Sequence, residues 1–460
     1  MHSTAAAARV QTLTLRPHLF GRDMPVSRPL KGLSLKSVSR KASRLFTRGK
    51  PANPSTALAS NLLQKITKMT NVTSVIVGCY TLDDCQMFKN ASSFLDAAWT
   101  HSSQLRTLTL AIPLEAMAHI LPSMPKFDVL EELSLTLRFA YHNSEQDDIL
   151  THIAAFANRH ASTLTKLSID TPQPNVDPSS LYQALDLYPR LSSVSIAHPV
   201  ERLEPQKSTG VDSFLAKRAD SLRELKVQLH GPVVDQFPPS PEVLFSHPIF
   251  KIPFPHLKVL ELGLCQWEKS FQPSVQRHLT QYIAQLSSIL SDLVLRGYVF
   301  SFPEVHEVVT KIGGDGSTLR SLQLHTHFLS CDLLDLLSRE LPNLHSLDLS
   351  FNSLSSKDDG SWNHNYYWNG LDVSSSCLAS EFWPMLICIQ EKATTFVNDV
   401  RLRKYYHWKL RHIELQPLHY CSGRWQTSQR LLVGCLPFVE TFNGQSSSEF
   451  STTPDYTKSS

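Results

Sequence analysis

Residues 341–354 read Leu341-Pro-Asn-Leu344-His-Ser-Leu347-Asp-Leu349-Ser-Phe-Asn352-Ser-Leu354, and this stretch decides the fold. A helical pattern runs up to it from Cys331. Pro342 ends that helix and sends the chain into extended backbone. Leu344, Leu347 and Leu349 then follow an apolar-x-x-apolar-x-apolar spacing. The last two, two residues apart on a strand, point to the same side. They face the helix of their own unit. One helix and one strand cannot bury that face alone, so the segment needs copies of itself on either side.

The copies are present. The spacing recurs as Leu105/Leu108/Leu110, Leu130/Leu133/Leu135, Leu164/Leu167/Ile169, Leu191/Val194/Ile196 and Leu222/Leu225/Val227. It continues as Leu257/Leu260/Leu262, Leu290/Leu293/Leu295, Leu319/Leu322/Leu324, Leu410/Ile413/Leu415 and a weaker Val439/Phe442. Upstream, Val10/Leu13/Leu15 and Val72/Val75/Val77 fit. From Val72 the first positions lie 33, 25, 34, 27, 31, 35, 33, 29, 25, 66 and 29 residues apart. The 66, and the 62 between Val10 and Val72, read as about two units each. Some units have a proline just ahead of the strand (Pro189, Pro255, Pro342, Pro437), others a polar turn such as Gly316-Ser-Thr-Leu319. The unit is helix, short turn, strand. Parallel strands joined by helical crossovers predict an α/β, right-handed solenoid.

At these residues the chain resembles the leucine-rich repeat family. The quoted stretch is the closest match and carries the family's asparagine, Asn352, after the strand. Elsewhere that residue is missing or replaced, as by Gln266 after Leu264-Cys265. The units are longer and less even than repeats of about 20–29 residues. This irregular, helix-rich form is similar to the repeat half of fungal F-box proteins, over roughly residues 10–442. The resemblance implies a solenoid with a parallel sheet on the concave face and helices on the convex face. It also implies a substrate-recognition role in a ubiquitin ligase subunit. An F-box is a helical unit that opens with a Leu-Pro pair and docks on the ligase adaptor. A first strand motif at Val10 leaves no room for one, so the expectation is a truncated gene or a lost adaptor-binding part. This chain alone is not expected to bind the adaptor.

Composition bounds the alternatives. The 460 residues include 66 leucines, about one in seven, and only 16 glycines. Charged residues make up 18% and hydrophobic ones 42%, enough to bury a core. The longest apolar stretch, residues 382–389, is broken by Pro384, far short of the roughly 20 residues a membrane span needs. A net charge of +3 gives no reason to expect specific nucleic-acid binding. The eight cysteines form no C-x-x-C pair and read as reduced structural thiols. Residues 1–55 form a basic, Arg/Ser-rich segment, with a possible first repeat strand at 10–15. The first 50 residues hold eleven Arg or Lys against one acid, Asp23. That segment is a solvated loop, an import or anion-binding patch, or a mitochondrial transit peptide. Without an apolar leader, a cytoplasmic or nuclear location is expected, with mitochondrial targeting the lesser reading. The solenoid itself is expected over residues 56–442, with loops at 231–255 and 353–380. Residues 443–460, rich in Ser and Thr, are expected to be disordered.

No catalytic or metal-binding constellation emerges, and no cofactor is expected. Residues 312–317 (Ile-Gly-Gly-Asp-Gly-Ser) lack the Lys-Ser/Thr of a phosphate loop and precede a strand, so they read as a turn. His325-x-His327 has no third ligand at a recognisable spacing. Neither G-x-S-x-G nor H-E-x-x-H occurs. The chain is therefore read as a non-enzyme. What remains is surface. The alternate strand residues point away from the helices and line the concave face: Glu132, Lys166, Asp170, Glu224, Lys226, Glu261, Asp292, Arg296, His325, Asp348 and Glu414. They are polar and of mixed sign, which suits a protein partner of unknown identity. A second candidate is the aromatic stretch with Trp362, Tyr366, Tyr367 and Trp368, read as an edge cap, an interface hot spot or a disordered loop. Two functions stay open: a substrate-recognition module of an F-box-like ligase subunit, or a non-ligase scaffold using its basic N-terminus to reach an anionic partner.

The strand assignment makes a sharp prediction. Leu347→Asp buries an unpaired charge and should cost several kcal/mol, whereas Asp348→Ala, on the opposite side, should cost less than about 0.5 kcal/mol. Equal melting shifts for the two would contradict the alternation.

Overall fold

The structure, a computed structural model, describes residues 9–16, 68–79, 102–139, 146–200, 210–231, 240–264, 272–314, 316–355, 391–418 and 424–451, with single positions at 64, 66, 95, 96 and 98–100. The fold is α/β with a mostly parallel sheet. The chain divides into two compact units. Unit 1 holds Met1–Leu222 with Pro232–Asp235 and Lys251–Pro253; unit 2 holds Arg223–Gly231, Gln236–Phe250 and Phe254–Ser460. The aromatic stretch at 362–368 lies outside the described residues, as do most of the basic N-terminal residues.

In unit 1 the strands are β1 (Thr12–Leu15), β2 (Ser74–Gly78), β3 (Thr107–Ala111), β4 (Glu132–Thr136), β5 (Lys166–Asp170) and β6 (Ser193–Pro199). All pair in parallel with their neighbours in chain order. The register puts the repeat's apolar positions in rows. Val75, Leu108, Leu133, Leu167 and Val194 form one row and Val77, Leu110, Leu135, Ile169 and Ile196 the next. Every one of these is almost wholly buried. Helices α1 (Leu114–Ile120), α2 (Gln146–Asn158), α3 (Ser179–Ala184) and α4 (Val211–Ala216) provide the crossovers. The buried side of α2, Ile149, Leu150, Ile153, Ala154, Phe156 and Ala157, follows the 3.6-residue period of an amphipathic helix.

Unit 2 repeats the plan. Its strands are β7 (Glu224–His230), β8 (Val259–Gly263), β9 (Asp292–Phe300), β10 (Ser321–Ser330), β11 (Ser346–Ser355), β12 (His412–Pro417), β13 (Thr441–Phe442) and β14 (Gln445–Ser446). Leu225, Leu260, Leu293, Leu322, Leu347, Ile413 and Phe442 share one register row, and each is at most 1% exposed. The helices are α5 (Pro241–Phe245), α6 (Gln272–Leu286), α7 (Phe302–Ile312), α8 (Cys331–Glu340), α9 (Arg424–Cys435) and α10 (Ser447–Ser451), with a further helical run over residues 391–400. Strand β9 carries a bulge against β10. At Gly297 the backbone turns left-handed (φ 77°), and an added Cβ would sit 1.9 Å from the Leu264 carbonyl oxygen, so only glycine fits. Caps set where helices begin. Ser330 Oγ accepts from Leu333 N (3.0 Å) at α8. At α7 the Glu304 carboxylate accepts from the Ser301 amide (2.7 Å) and from the Tyr298 hydroxyl.

Four expectations are corrected. Strand β1 pairs directly with β2 and β11 with β12, so the 62- and 66-residue intervals place no further strand between them in the sheet. These gaps are long insertions between adjacent strands. Within 231–255, helix α5 forms because Ser240 caps it and Pro241 occupies its first turn, where a missing N–H costs nothing; at 353–355 the chain is still strand β11. Residues 443–451 are ordered. Asn443 (φ 49°) and Gly444 (φ 75°) make the two-residue turn between β13 and the antiparallel β14, and Phe450 of α10 packs its ring 5.3 Å from that of Phe442. Finally, Asn352 lies inside β11 and its Oδ1 meets His325 Nε2 at 3.2 Å.

Polar side chains ahead of β12 are matched to partners on α8 and its end. The Tyr405 hydroxyl and Arg403 Nε both bond to the Asp335 carboxylate (2.7 and 3.0 Å), while Trp408 Nε1 donates to the Leu341 carbonyl (3.0 Å). These contacts fasten the chain ahead of β12 to α8. Cys79, Cys331 and Cys435 are buried, and burial pushes the Cys331 thiol up to about 12. Among the described residues no helix is long and apolar enough to cross a membrane.

His160 gives unit 1 a pH dependence. It is fully buried, accepts from the Phe127 amide through Nε2 (3.1 Å) and contacts the Phe156 carbonyl through Nδ1 (3.0 Å). An imidazole in those two roles is neutral. Burial lowers its pKa from 6.5 to about 4; the Phe156 carbonyl opposes this, and Arg159 and Lys126 reinforce it. The unfolded chain therefore takes up this proton first as the pH falls. Stability is expected to drop by about 3 kcal/mol between pH 6.5 and pH 4 from this group. Denaturant titration at several pH values checks this: His160→Gln, which keeps an acceptor for Phe127, should flatten the decline.

Candidate protein-binding face

The strand residues between the buried rows form the polar side of each sheet. In unit 1 Glu132 of β4 and Lys166 of β5 are register partners, and their side chains form an ion pair at 3.2 Å. Asp170 ends β5, half-exposed, beside Thr136 of β4. Both members of the ion pair are about half exposed, so the pair orders the surface more than it stabilises it.

Unit 2 places a longer series on one face. Glu224 and Lys226 of β7 pair at 3.2 Å, and Lys226 also reaches Glu261 of β8 at 3.2 Å. Glu261 in turn holds Arg296 of β9 at 3.1 Å, and Arg296 donates to Gln323 of β10 at 3.1 Å. Five side chains from four strands thus alternate in sign or polarity across the sheet. Burial alone would lower the Lys226 pKa, but bonds to Glu261 and Glu224 outweigh it and raise the value. Asp292 opens β9 and accepts from the Ser291 hydroxyl. His325 stands half-buried beside Asn352.

Further along the same face the pattern changes. Asp348 of β11 and Glu414 of β12 are register partners, so two acids stand side by side. Burial raises the Asp348 pKa, Glu414 adds to the rise, and Arg296 opposes it. Glu414 is exposed. Eight of the eleven expected face residues therefore fall into three geometrical groups: Glu132 with Lys166 in unit 1, the ladder from Glu224 to Arg296 in unit 2, and the acidic pair beyond it.

A groove of about 640 Å³ in unit 1 was not anticipated from the sequence. Its lining includes Asp96, Trp99, Thr100, Lys126, Phe127 and Asp128. Burial raises the Asp96 pKa. Among the described residues no histidine or cysteine lines it. Its walls come from two segments some twenty residues apart, 96–103 and 123–128, each unremarkable alone. Among the described residues no group of three or more His, Cys, Asp or Glu is arranged to hold a metal ion. No protein-family model matches the chain, and no curated protein matches it.

The Asp348–Glu414 juxtaposition predicts a stabilising substitution. Ionised Asp348 is disfavoured in the folded state, so its cost is present at neutral pH and vanishes once acid protonates it. Asp348→Asn should raise the melting temperature at pH 7, by less than about 1 kcal/mol in stability, with the gain disappearing as the pH falls through the carboxylate range. Calorimetry at the two pH values checks it.

Proposed function

We propose that the chain is a protein-binding module of the leucine-rich repeat type, its polar sheet face acting as the concave recognition surface. The observation that carries this reading is the unit 2 face, where ion pairs hold Glu224, Lys226, Glu261 and Arg296 in a fixed order and leave the Asp348–Glu414 acids beside them. A pre-ordered surface of alternating charge recognises a partner by electrostatic match at little entropic cost. Within this reading the favoured role is substrate recognition for an F-box-like ubiquitin ligase subunit, in line with the resemblance of the repeat. The alternative is a scaffold without ligase function, whose basic N-terminal segment meets an anionic partner. No membrane span and no specific nucleic acid enter either reading.

The test compares wild-type chain with Arg296→Glu and Glu414→Lys in cells, using proximity labelling. Partners lost from both variants, with unchanged melting behaviour, are what the reading expects; identical partner sets would overturn it. The two roles separate on the fate of those partners. A ligase substrate should accumulate when the chain is depleted, while a scaffold's partner keeps its half-life. Direct, stoichiometric binding of this chain alone to the ligase adaptor would contradict the expectation drawn from its repeat organisation.

A further inference from the structure

The residue after the first apolar position of each repeat lies at the mouth of the turn, outside the core. In unit 2 backbone hydrogen bonds set these residues in one line. Lys258 N donates to the Arg223 carbonyl (2.8 Å), Ser291 N to Lys258 (2.8 Å), Arg320 N to Ser291 (2.7 Å), His345 N to Arg320 (2.8 Å) and Arg411 N to His345 (2.9 Å). Neighbouring strands are about 4.8 Å apart, so the row runs for roughly 24 Å. Arg223, Lys258, Arg320 and Arg411 are exposed and His345 is half-buried.

The contacts these cations make leave most of their charge uncompensated. Lys258 Nζ donates to the Ile289 carbonyl (3.3 Å) and Arg320 Nη1 to the Asn343 carbonyl (3.0 Å), both neutral acceptors. At the far end Arg411 meets the one acid in line, Glu440, at 3.5 Å with both side chains more than half exposed. Glu224, one residue on from Arg223, is already paired with Lys226. Beyond Arg411 exposed apolar side chains stand among basic ones. Leu402, Tyr406 and Phe438 are 84%, 66% and 53% exposed. The Tyr405 amide bonds to the Cys435 carbonyl (3.0 Å), which joins the segments that carry Tyr406 and Phe438.

We propose that this row docks an extended acidic peptide whose apolar residues settle on Leu402, Tyr406 and Phe438. Carboxylates spaced along an extended chain meet the guanidinium groups in charge-assisted pairs, and apolar side chains cover the exposed end. A phosphodiester chain would use the cations but leave Leu402 and Phe438 facing water. The row is distinct in its residues from the polar sheet face, so either surface can fail without the other.

The probe is a fluorescein-labelled peptide of alternating Glu and Asp ending in Leu-Phe-Leu, titrated against the full chain. Binding should weaken with salt and fall at least about tenfold for Arg223→Glu with Lys258→Glu, whereas Leu402→Ser with Phe438→Ser should weaken it less. Arg277→Glu, at an exposed position of helix α6, should leave it unchanged. If the charge reversal perturbs the melting curve, Arg223→Gln with Lys258→Gln gives the reading instead, with loss again expected. No binding of the peptide, or full binding by the row variants, overturns the proposal. So does tighter binding of a single-stranded oligonucleotide of equal charge, or of phosphatidylserine vesicles.

Discussion

A parallel strand satisfies its backbone only through a neighbour on each side, and everything in these two units follows from that requirement. Leu347 and its counterparts are buried because the strands beside them share their register, not because any single repeat encloses them. The helices need the same arrangement, since each covers an apolar row that no one strand supplies. At the last strands of unit 2 the requirement is met differently. Residues Asn443 and Gly444 turn the chain back on itself, and the short antiparallel strand β14 takes up the open side of β13.

The repeating strands were legible because apolar-x-x-apolar-x-apolar spacing combines a period of two with a recurring interval, and few other folds produce both. Interval length alone misled at the two long gaps: 62 and 66 residues match two units in arithmetic, yet the strands on either side are direct neighbours. Composition misled at two other places. The seven prolines in 231–255 suggest a loop, although Pro241 behind Ser240 is a helix-opening pair. The Ser-rich tail concealed Asn443-Gly444, a two-residue hairpin signal that outranks composition.

Of the candidate site, the face was legible and its wiring was not. Alternation along a strand states which side chains share a side. It does not state that Glu261 stands between Lys226 and Arg296, because that depends on the register of three strands at once. The groove beside Asp96 and the basic row at the turns were hidden for a related reason. Each is assembled from residues that become neighbours only after the strands have stacked.

The two long insertions also bear on the order in which the chain assembles. Most strand pairs join segments some 25–35 residues apart, as the intervals between their first apolar positions show, so pairing can spread from one repeat to the next through short closures. The pairs β1–β2 and β11–β12 must close loops about twice as long. Doubling a loop adds only about 0.6 kcal/mol of closure entropy, a small equilibrium penalty. Kinetically the effect is larger in kind, because non-local pairing must be completed before its burial is gained. Strand β1, and the segment from β12 onward, are thus the late-joining parts of their respective units, and the half-buried Asp335–Arg403–Tyr405 cluster becomes the latch that holds the latter in place once it arrives.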